Sequence, residues 1–181
     1  MDKRIIKTSK FMSLVLRHQP EVIGLELDEC GWANIAELIS QSGKYNKSLN
    51  LALIQQVVAT NDKQRFSISE DGCFVRANQG HSIDVDLNLQ PQCPPTTLYH
   101  GTATRFKQCI YEQGLVKRAR QHVHLSATLE TAISVGQRHG KPVVLLVAAE
   151  QMHQDGYSFY LSKNGVWLTQ SVPVHYLSER E

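Results

Sequence analysis

The chain begins with apolar residues at the spacing of an α-helix. They are Phe11, Leu14 and Val15. Thr8 or Ser9 is predicted to cap this helix, because a side-chain hydroxyl can accept a hydrogen bond from an unpaired N–H of the first turn. Pro20 is predicted to end the helix, since proline lacks the N–H that a helix interior needs. Arg17 then lies in the last turn.

In the rest of the first 80 residues, apolar positions show the spacing of two further helices, and apolar and polar residues then alternate as in strands. Gly31 to Ala33 is predicted to form a short strand before a helix capped by Asn34, and apolar residues between Leu51 and Val58 predict another helix. The sequence RFSIS-EDG-CFVRA contains two alternating runs around an Asp-Gly turn, which is a strong hairpin signal. This order is that of a winged helix, a frequent nucleic-acid-binding module, although a fold alone does not establish function.

The second half mixes strands and helices differently. Strands are predicted at 98–102, 120–126, 142–148, 165–169 and 172–177. One helix is predicted from about Thr104 to Gly114, and another over TLETAISVGQRHG with Gly140 as its C-cap. Between the halves, the segment 81–97 contains Pro94-Pro95 and is predicted to be a linker. The fold class is therefore predicted as α+β, with lobes at 1–80 and 98–181.

The segment RQHVHLS at 120–126 has the alternation of a half-buried strand. Val123 and Leu125 are predicted to point into a core, because side chains alternate across a pleated strand. The opposite face would carry four polar residues: Arg120, His122, His124 and Ser126. Such a face suits an anionic or hydrogen-bonding ligand.

The amino-acid composition limits the classes of protein to which this chain can belong. The chain has 181 residues, 41% hydrophobic and 20% charged, which is typical of a globular protein with one large or two small domains. Neither a transmembrane helix nor a secretory signal is predicted. The four cysteines are scattered, as in a protein of the reducing cytoplasm. The net charge of +2 is too small to identify a nucleic-acid binder, so basic groups for RNA would have to be clustered by the fold.

Histidine spacing also raises a metal alternative. His122 and His124, at i and i+2 on a strand, have a known zinc geometry, and His100 and His139 are the candidates to complete it. The neighbourhood is rich in arginine, which repels a cation, so no metal is predicted. Taken singly, the basic dipeptides at 17–18 and 138–139 are ordinary basic helix ends, and Arg65 is an ordinary solvated strand end.

The order of the motifs is more specific than any one of them. SKFMSLVLRHQPEVIGLELDECGWANIAELI is followed by NDKQRF, YHGT, RQHVHLS, VGQRHG and NGVWLT. From about Lys7 to Leu177 this series resembles the NAD-dependent RNA 2′-phosphotransferase family, which removes a splice-junction 2′-phosphate from tRNA. The resemblance implies an N-terminal winged-helix RNA lobe and a C-terminal lobe of the ADP-ribosyltransferase type. It implies RNA bearing a 2′-phosphate and NAD as substrates. The sequence itself predicts no metal and no membrane association, and no obligate protein partner is evident from it.

The resemblance also implies a reaction in two steps and a catalytic set. The RNA 2′-phosphate displaces nicotinamide from NAD, and the 2″-hydroxyl of the transferred ADP-ribose then attacks the phosphorus. The products are RNA with a 2′-OH and ADP-ribose 1″,2″-cyclic phosphate. The family's catalytic residues map onto Arg17, His18, Arg65 and Arg120, with the acid–base role given to His18.

For NAD, the resemblance implies His100 with Gly101 and Thr102 on one strand, and His124 with Ser126 on another. Further candidates for the NAD diphosphate or adenosine side are Thr131, Arg138 and His139, and candidates for RNA phosphates are Lys63 and Arg76. Two alternatives stay open. One is an ADP-ribosyltransferase acting on nucleic-acid phosphate ends, and the other is a non-catalytic RNA-binding protein that senses NAD or ADP-ribose.

Overall fold

The computed structural model describes residues 2–45 and 48–179. The chain divides into two compact units, an N-terminal unit up to Asn88 and a C-terminal unit from Leu89. The segment 81–97, predicted as a linker, is divided between the two units. Its first part belongs to the N-terminal unit, where His81 and Val85 are buried.

The N-terminal unit consists of helices around a small antiparallel sheet. Its elements are α1 (Lys3–Arg17), β1 (Trp32–Asn34), α2 (Ile35–Lys44), α3 (Leu51–Ala59), β2 (Phe66–Ile68) and β3 (Phe74–Ala77). The strand order is β1-β3-β2. The predicted hairpin is confirmed, with Phe66 paired to Ala77 and Ile68 to Val75. The predicted cap of α2 is also confirmed, because Asn34 Oδ1 accepts hydrogen bonds from the two N–H groups of residues 36 and 37 at 2.9 and 3.1 Å.

The predicted start of α1 was wrong. Asp2 caps the helix by accepting a hydrogen bond from the Arg4 N–H at 2.8 Å, while Thr8 and Ser9 are buried inside it. The helix extends toward the N-terminus because this additional turn packs Ile5 into the core. Leu14, predicted on the apolar face, is 36% exposed.

The core of the N-terminal unit lies between its helices and its sheet. Met12, Leu16, Leu38, Ile54 and Val75 have no exposed surface and belong to one cluster. Burying one side chain of this size contributes about 1.5–3 kcal/mol. Arg17 and His18 follow directly on the buried residue Leu16, so this core fixes the position of the helix end that carries them.

The C-terminal unit contains short helices and several small sheets. Its elements are β4 (Thr97–Ala103), α4 (Lys107–Gln113), β5 (Leu115–Val116), β6 (Val123–Leu125), α5 (Leu129–Gly136), β7 (Pro142–Ala148), α6 (Ala149–Gln154), β8 (Tyr160–Leu161), β9 (Trp167–Thr169), β10 (Ser171–Val172) and β11 (Leu177–Glu179). The strand orders are β11-β7-β4, β6-β9-β8 and β10-β5. The α+β class is confirmed. Among the residues described, every helix is too short or too polar to span a bilayer.

Two sheets of this unit are joined by a single backbone bridge. The N–H of Tyr99 donates to the carbonyl of Ser126 at 2.9 Å, and the N–H of Ser126 donates back at 2.7 Å. Strand β4 therefore runs beside the end of β6. This pairing brings His100 of β4 next to His124 of β6.

Three predicted elements of the second half differ in extent. Only Val123–Leu125 of RQHVHLS is strand, and Arg120 lies in the preceding turn. The predicted strand 172–177 is divided into β10, a 3-10 turn over Val174–Tyr176 and β11. Proline 173 interrupts it because it has no N–H to donate to a ladder. Helix α5 ends at Gly136, earlier than predicted, and a 3-10 turn over Gln137–His139 connects it to Gly140.

Candidate functional site

The end of α1 is held by the residue that follows His81. The N–H of Ser82 donates to the carbonyl of Arg17 at 2.9 Å. The hydroxyl of Ser82 and Nδ1 of His18 form a second hydrogen bond of 2.9 Å. Together these two bonds fix the backbone at Arg17 and the ring orientation of His18.

Arg65 lies beside the same helix end. Nη2 of Arg17 donates to the carbonyl oxygen of Arg65 at 3.3 Å, and the guanidinium carbon of Arg17 lies 5.8 Å from the ring centroid of Phe66. The N-terminal unit thus brings the backbone of Arg65 to the side chain of Arg17, 48 positions away in the sequence. The guanidinium of Arg17 and the imidazole of His18, at one helix end, suit a negatively charged phosphate group.

A buried histidine that sequence reasoning missed lies against this cluster. His81 is 1% exposed, and neither of its ring nitrogens has a hydrogen-bond partner in the described part of the chain. Burial, and then the positive charges of Arg17, His18 and Arg76, lower the pKa of His81 from 6.5 to about 4. The imidazole is therefore neutral at neutral pH. No local signal marked it, because His81 occupies a segment that resembled a linker.

The two residues proposed for RNA have different surroundings. Lys63 is exposed in the turn between α3 and β2. Arg76 is half-buried, its guanidinium carbon lies 4.6 Å from the ring centroid of Trp32, and Nη1 donates to the carbonyl of Cys30 at 3.4 Å. Their contacts with RNA remain predictions.

In the C-terminal unit, hydrogen bonds link three of the predicted residues. Nδ1 of His100 bonds the carbonyl oxygen of His124 at 3.1 Å, and Nη1 of Arg120 bonds Nδ1 of His124 at 2.5 Å. A carbonyl only accepts and a guanidinium only donates. The hydrogen of His100 is therefore on Nδ1, and Nδ1 of His124 is the acceptor.

Electrostatics keep His100 uncharged. Burial is the largest cause that lowers its pKa, followed by the charges of Arg120 and His139, against the opposing hydrogen bond to the His124 backbone. With its proton on Nδ1, neutral His100 presents an acceptor lone pair on Nε2. Burial also lowers the pKa of Arg120, although a guanidinium remains charged at neutral pH.

The polar face predicted for RQHVHLS is assembled differently from a simple strand. Arg120 reaches His124 from a turn rather than from the same strand face. The ring of His122 packs edge-on against Tyr160, with centroids 5.8 Å apart, and burial lowers its pKa. Val123 and Leu125 are buried, as predicted.

Gly101 has a packing role that the motif did not reveal. A Cβ atom on Gly101 would lie 1.8 Å from the carbonyl oxygen of Ala132, so only glycine lets α5 pack this closely on β4. Gly136, at the end of α5, meets β4 at the same interface, since its Cβ would lie 2.6 Å from the carbonyl oxygen of Thr102. Thr102 itself is buried. The predicted NAD contacts of Gly101 and Thr102 remain predictions.

The remaining predicted residues surround α5. Ser126 is half-buried at the bridge to Tyr99, and Thr131 is exposed in the first turn of α5, where Thr128 Oγ1 donates to its Oγ1 at 2.9 Å. Arg138 and His139 are exposed in the 3-10 turn after α5. The charge of His139 contributes to the lowered pKa of His100, so the turn and the histidine pair lie in the same region.

Comparisons with known proteins decide the family. The family model described as "RNA 2'-phosphotransferase, Tpt1 / KptA family" matches residues 3–171. The chain belongs to the RNA 2′-phosphotransferase family. A "Probable RNA 2'-phosphotransferase" of Acaryochloris marina is 56% identical over 181 residues, covering all of both chains. Proteins with the same description are 60% identical in Rhodopirellula baltica, covering 98% of this chain and 97% of that one, and 58% identical in Pectobacterium carotovorum, covering 93% and 91%.

Membership in the RNA 2′-phosphotransferase family confirms the resemblance found in the sequence. The protein is an enzyme of the transferase class, which favours catalysis over the alternative of a sensing protein. Within residues 2–45 and 48–179, no group of His, Cys, Asp or Glu side chains is arranged to hold a metal ion. Nδ1 of His124, one of the nitrogens of the zinc alternative, accepts a hydrogen bond from Arg120.

Proposed function

We propose that this RNA 2′-phosphotransferase uses NAD to remove an internal 2′-phosphate from RNA. In the first step, a 2′-phosphate oxygen attacks the anomeric carbon of the nicotinamide ribose, and nicotinamide leaves with the bonding electrons. In the second step, the 2″-hydroxyl attacks the phosphorus, and its proton ends on the departing RNA 2′-oxygen. The products are nicotinamide, RNA with a 2′-OH and ADP-ribose 1″,2″-cyclic phosphate.

The observation that carries the proposal is the hydrogen-bonded series Arg120–His124–His100. NAD offers ribose hydroxyls that donate hydrogen bonds and a diphosphate that attracts cations. Neutral His100, with an acceptor at Nε2, suits a ribose hydroxyl. Arg120, hydrogen-bonded to His124, supplies a fixed positive charge beside this site for the RNA 2′-phosphate. Ser126, Thr131, Arg138 and His139 are the further proposed NAD residues of this unit, together with Gly101 and Thr102.

We assign phosphate binding to Arg17 and Arg65 in the N-terminal unit, and binding of the RNA 2′-phosphate to Arg120 in the C-terminal unit. A phosphate monoester carries close to two negative charges at neutral pH, because its second pKa is about 6. Guanidinium groups bind it bidentately and stay charged. His18, oriented by Ser82, is assigned the proton transfer of the second step. Helices packed on the β1-β3-β2 sheet support a winged-helix assignment for this unit.

The missing acid of the C-terminal unit fits the same chemistry. Enzymes that transfer ADP-ribose commonly use a glutamate on a later strand, and NGVWLT offers Val166 instead. The sequence has no acidic residue between Asp155 and Glu179. A phosphate nucleophile arrives already ionised, so no carboxylate is needed to activate it. This supports an ADP-ribosyltransferase-type lobe adapted to a phosphate acceptor.

We propose the cytoplasm as the compartment of this protein, because its four cysteines are scattered along the chain.

The test uses an oligoribonucleotide with one internal 2′-phosphate, with and without NAD. We expect loss of the 2′-phosphate only with NAD, one nicotinamide per phosphate removed, and no effect of EDTA. A matched oligoribonucleotide with only a terminal phosphate tests the alternative of ADP-ribosylation at nucleic-acid ends. Dephosphorylation that proceeds fully without NAD, or that EDTA abolishes, would refute the proposal.

A further inference from the structure

A basic surface surrounds Phe106 on the C-terminal unit, outside the residues assigned to NAD. The guanidinium carbons of Arg105 and Arg118 lie 4.7 and 6.0 Å from the ring centroid of Phe106. Lys117 precedes Arg118, and all three basic residues are exposed. We call Arg105, Phe106, Lys117 and Arg118 the Phe106 surface.

The positive charge of the Phe106 surface is not neutralised within the described part of the chain. Among the described residues, the ion pair of this region joins Lys107 to Glu179, and Lys107 is not part of the Phe106 surface. The basic residues of the Phe106 surface have no carboxylate partner among the described residues. Arg118 donates to the sulfur of Cys109 at 3.9 Å, and Lys117 donates to the side-chain oxygen of Gln170 at 3.3 Å. Neither partner is a carboxylate, so the three charges are available to an anion.

A single turn connects this surface to the proposed NAD site. The N–H of Arg120 donates to the carbonyl of Lys117 at 3.0 Å and closes the turn 117–120. Arg118 has φ of 48°, in the left-handed region, where a residue other than glycine costs about 1–2 kcal/mol. From this turn, the guanidinium of Arg118 contacts Cys109 and Phe106, while that of Arg120 contacts His124.

We propose that the Phe106 surface binds the phosphodiester backbone of the RNA substrate next to the nucleotide that carries the 2′-phosphate. Guanidinium and ammonium groups bind phosphates, and an arginine–aromatic face accepts an unpaired base by stacking. The turn 117–120 then carries cations for two parts of one substrate, with Arg120 on the reacting phosphate and Lys117 and Arg118 on its neighbours. This inference rests on the proposed function, in which Arg120 contacts the 2′-phosphate.

The salt dependence of RNA binding gives the expected size of the effect. Each phosphate contact with single-stranded RNA contributes about 0.7 to the slope of log affinity against log salt, which is about a fourfold change in affinity at about 0.15 M salt. Arg105→Gln and Arg118→Gln should therefore each raise KM for a long 2′-phosphorylated oligoribonucleotide about fourfold. The kcat should stay constant, and the salt slope should fall by about 0.7 for each variant. A minimal substrate with no flanking phosphodiesters should keep the wild-type KM.

Matched variants separate this effect from a general change of charge or fold. Lys163→Gln removes one charge from an exposed position in the turn between β8 and β9 of the same unit, and should leave both KM values unchanged. Arg118→Lys keeps the charge and should restore most of the affinity for the long substrate. The affinity for NAD, measured by calorimetry, should be the same in every variant, which establishes that the unit is folded.

Two results would overturn the inference. One is an equal effect of Arg105→Gln or Arg118→Gln on the long and the minimal substrate. The other is an equal loss in Lys163→Gln. If the wild-type protein instead fails to consume NAD, the proposed function fails. In that case fluorescence anisotropy with labelled RNA still tests the Phe106 surface, through the loss of affinity and of salt slope in the same variants.

Discussion

The buried histidine of the N-terminal unit should make the stability of that unit depend on pH. The pKa of His81 is about 4 in the folded protein against 6.5 for the free side chain. Between these two values the unfolded chain binds a proton and the folded unit does not. Stability is therefore fully present above pH 6.5 and is lost as the pH falls toward 4.

The magnitude follows from this difference in pKa. Each pKa unit corresponds to about 1.4 kcal/mol, so the whole window contributes about 3 kcal/mol to the free energy of unfolding. Between pH 7 and pH 5 the loss is about 2 kcal/mol. Replacing His81 by a side chain that does not titrate should remove this part of the pH dependence and leave the contribution of other groups.

Urea unfolding of the N-terminal unit provides the assay. The two tryptophans lie in different units, Trp32 in the N-terminal and Trp167 in the C-terminal. In a Trp167→Phe background, fluorescence therefore reports the N-terminal unit. Between pH 7 and pH 5, the free energy of unfolding should fall by about 2 kcal/mol less in His81→Leu than in this background. His81→Gln should show a similar difference. If both variants lose stability toward pH 5 as steeply as the background, the titration of His81 does not cause the loss and the reasoning is refuted.

Three further predictions concern the C-terminal unit. Gly101→Ala should strongly destabilise it, because the new Cβ would lie 1.8 Å from the Ala132 carbonyl oxygen; a thermal unfolding midpoint equal to that of the wild type contradicts this. His100→Ala should weaken NAD binding measured by calorimetry, whereas unchanged affinity and turnover would exclude the proposed ribose contact. Arg120→Ala should slow the second step more than the first and accumulate 2′-phospho-ADP-ribosylated RNA, visible as a slower gel band. Arg120→Lys should restore activity only in part, because a point charge lacks bidentate geometry. Loss of nicotinamide release without a slower band would instead assign Arg120 to substrate binding.

Local features were predicted well because their causes lie within a few residues. The Asp-Gly turn between β2 and β3 and the Asn34 cap depend on neighbouring backbone groups, and both are present in the structure. The same holds for Val123 and Leu125, whose burial follows from strand alternation. The family could also be identified from the sequence, because its motifs keep a fixed order along the chain.

Features that depend on distant residues needed the tertiary structure. The start of α1 moved from Thr8 or Ser9 to Asp2 because Ile5 is buried in the core of its unit. Arg120 contacts His124 through a turn that alternation along one strand did not predict.

The sequence by itself determined the α+β class, most of the elements and the family, because periodicity, capping and turn chemistry act between near neighbours. The tertiary structure alone decided that His81 is buried and neutral, that Ser82 orients His18 and that Gly101 admits helix α5. The contacts in these cases join residues that are far apart in the chain, such as His18 and Ser82. Burial, hydrogen bonding between distant residues and close packing depend on which distant segments of the chain contact each other. A local sequence pattern does not determine these contacts.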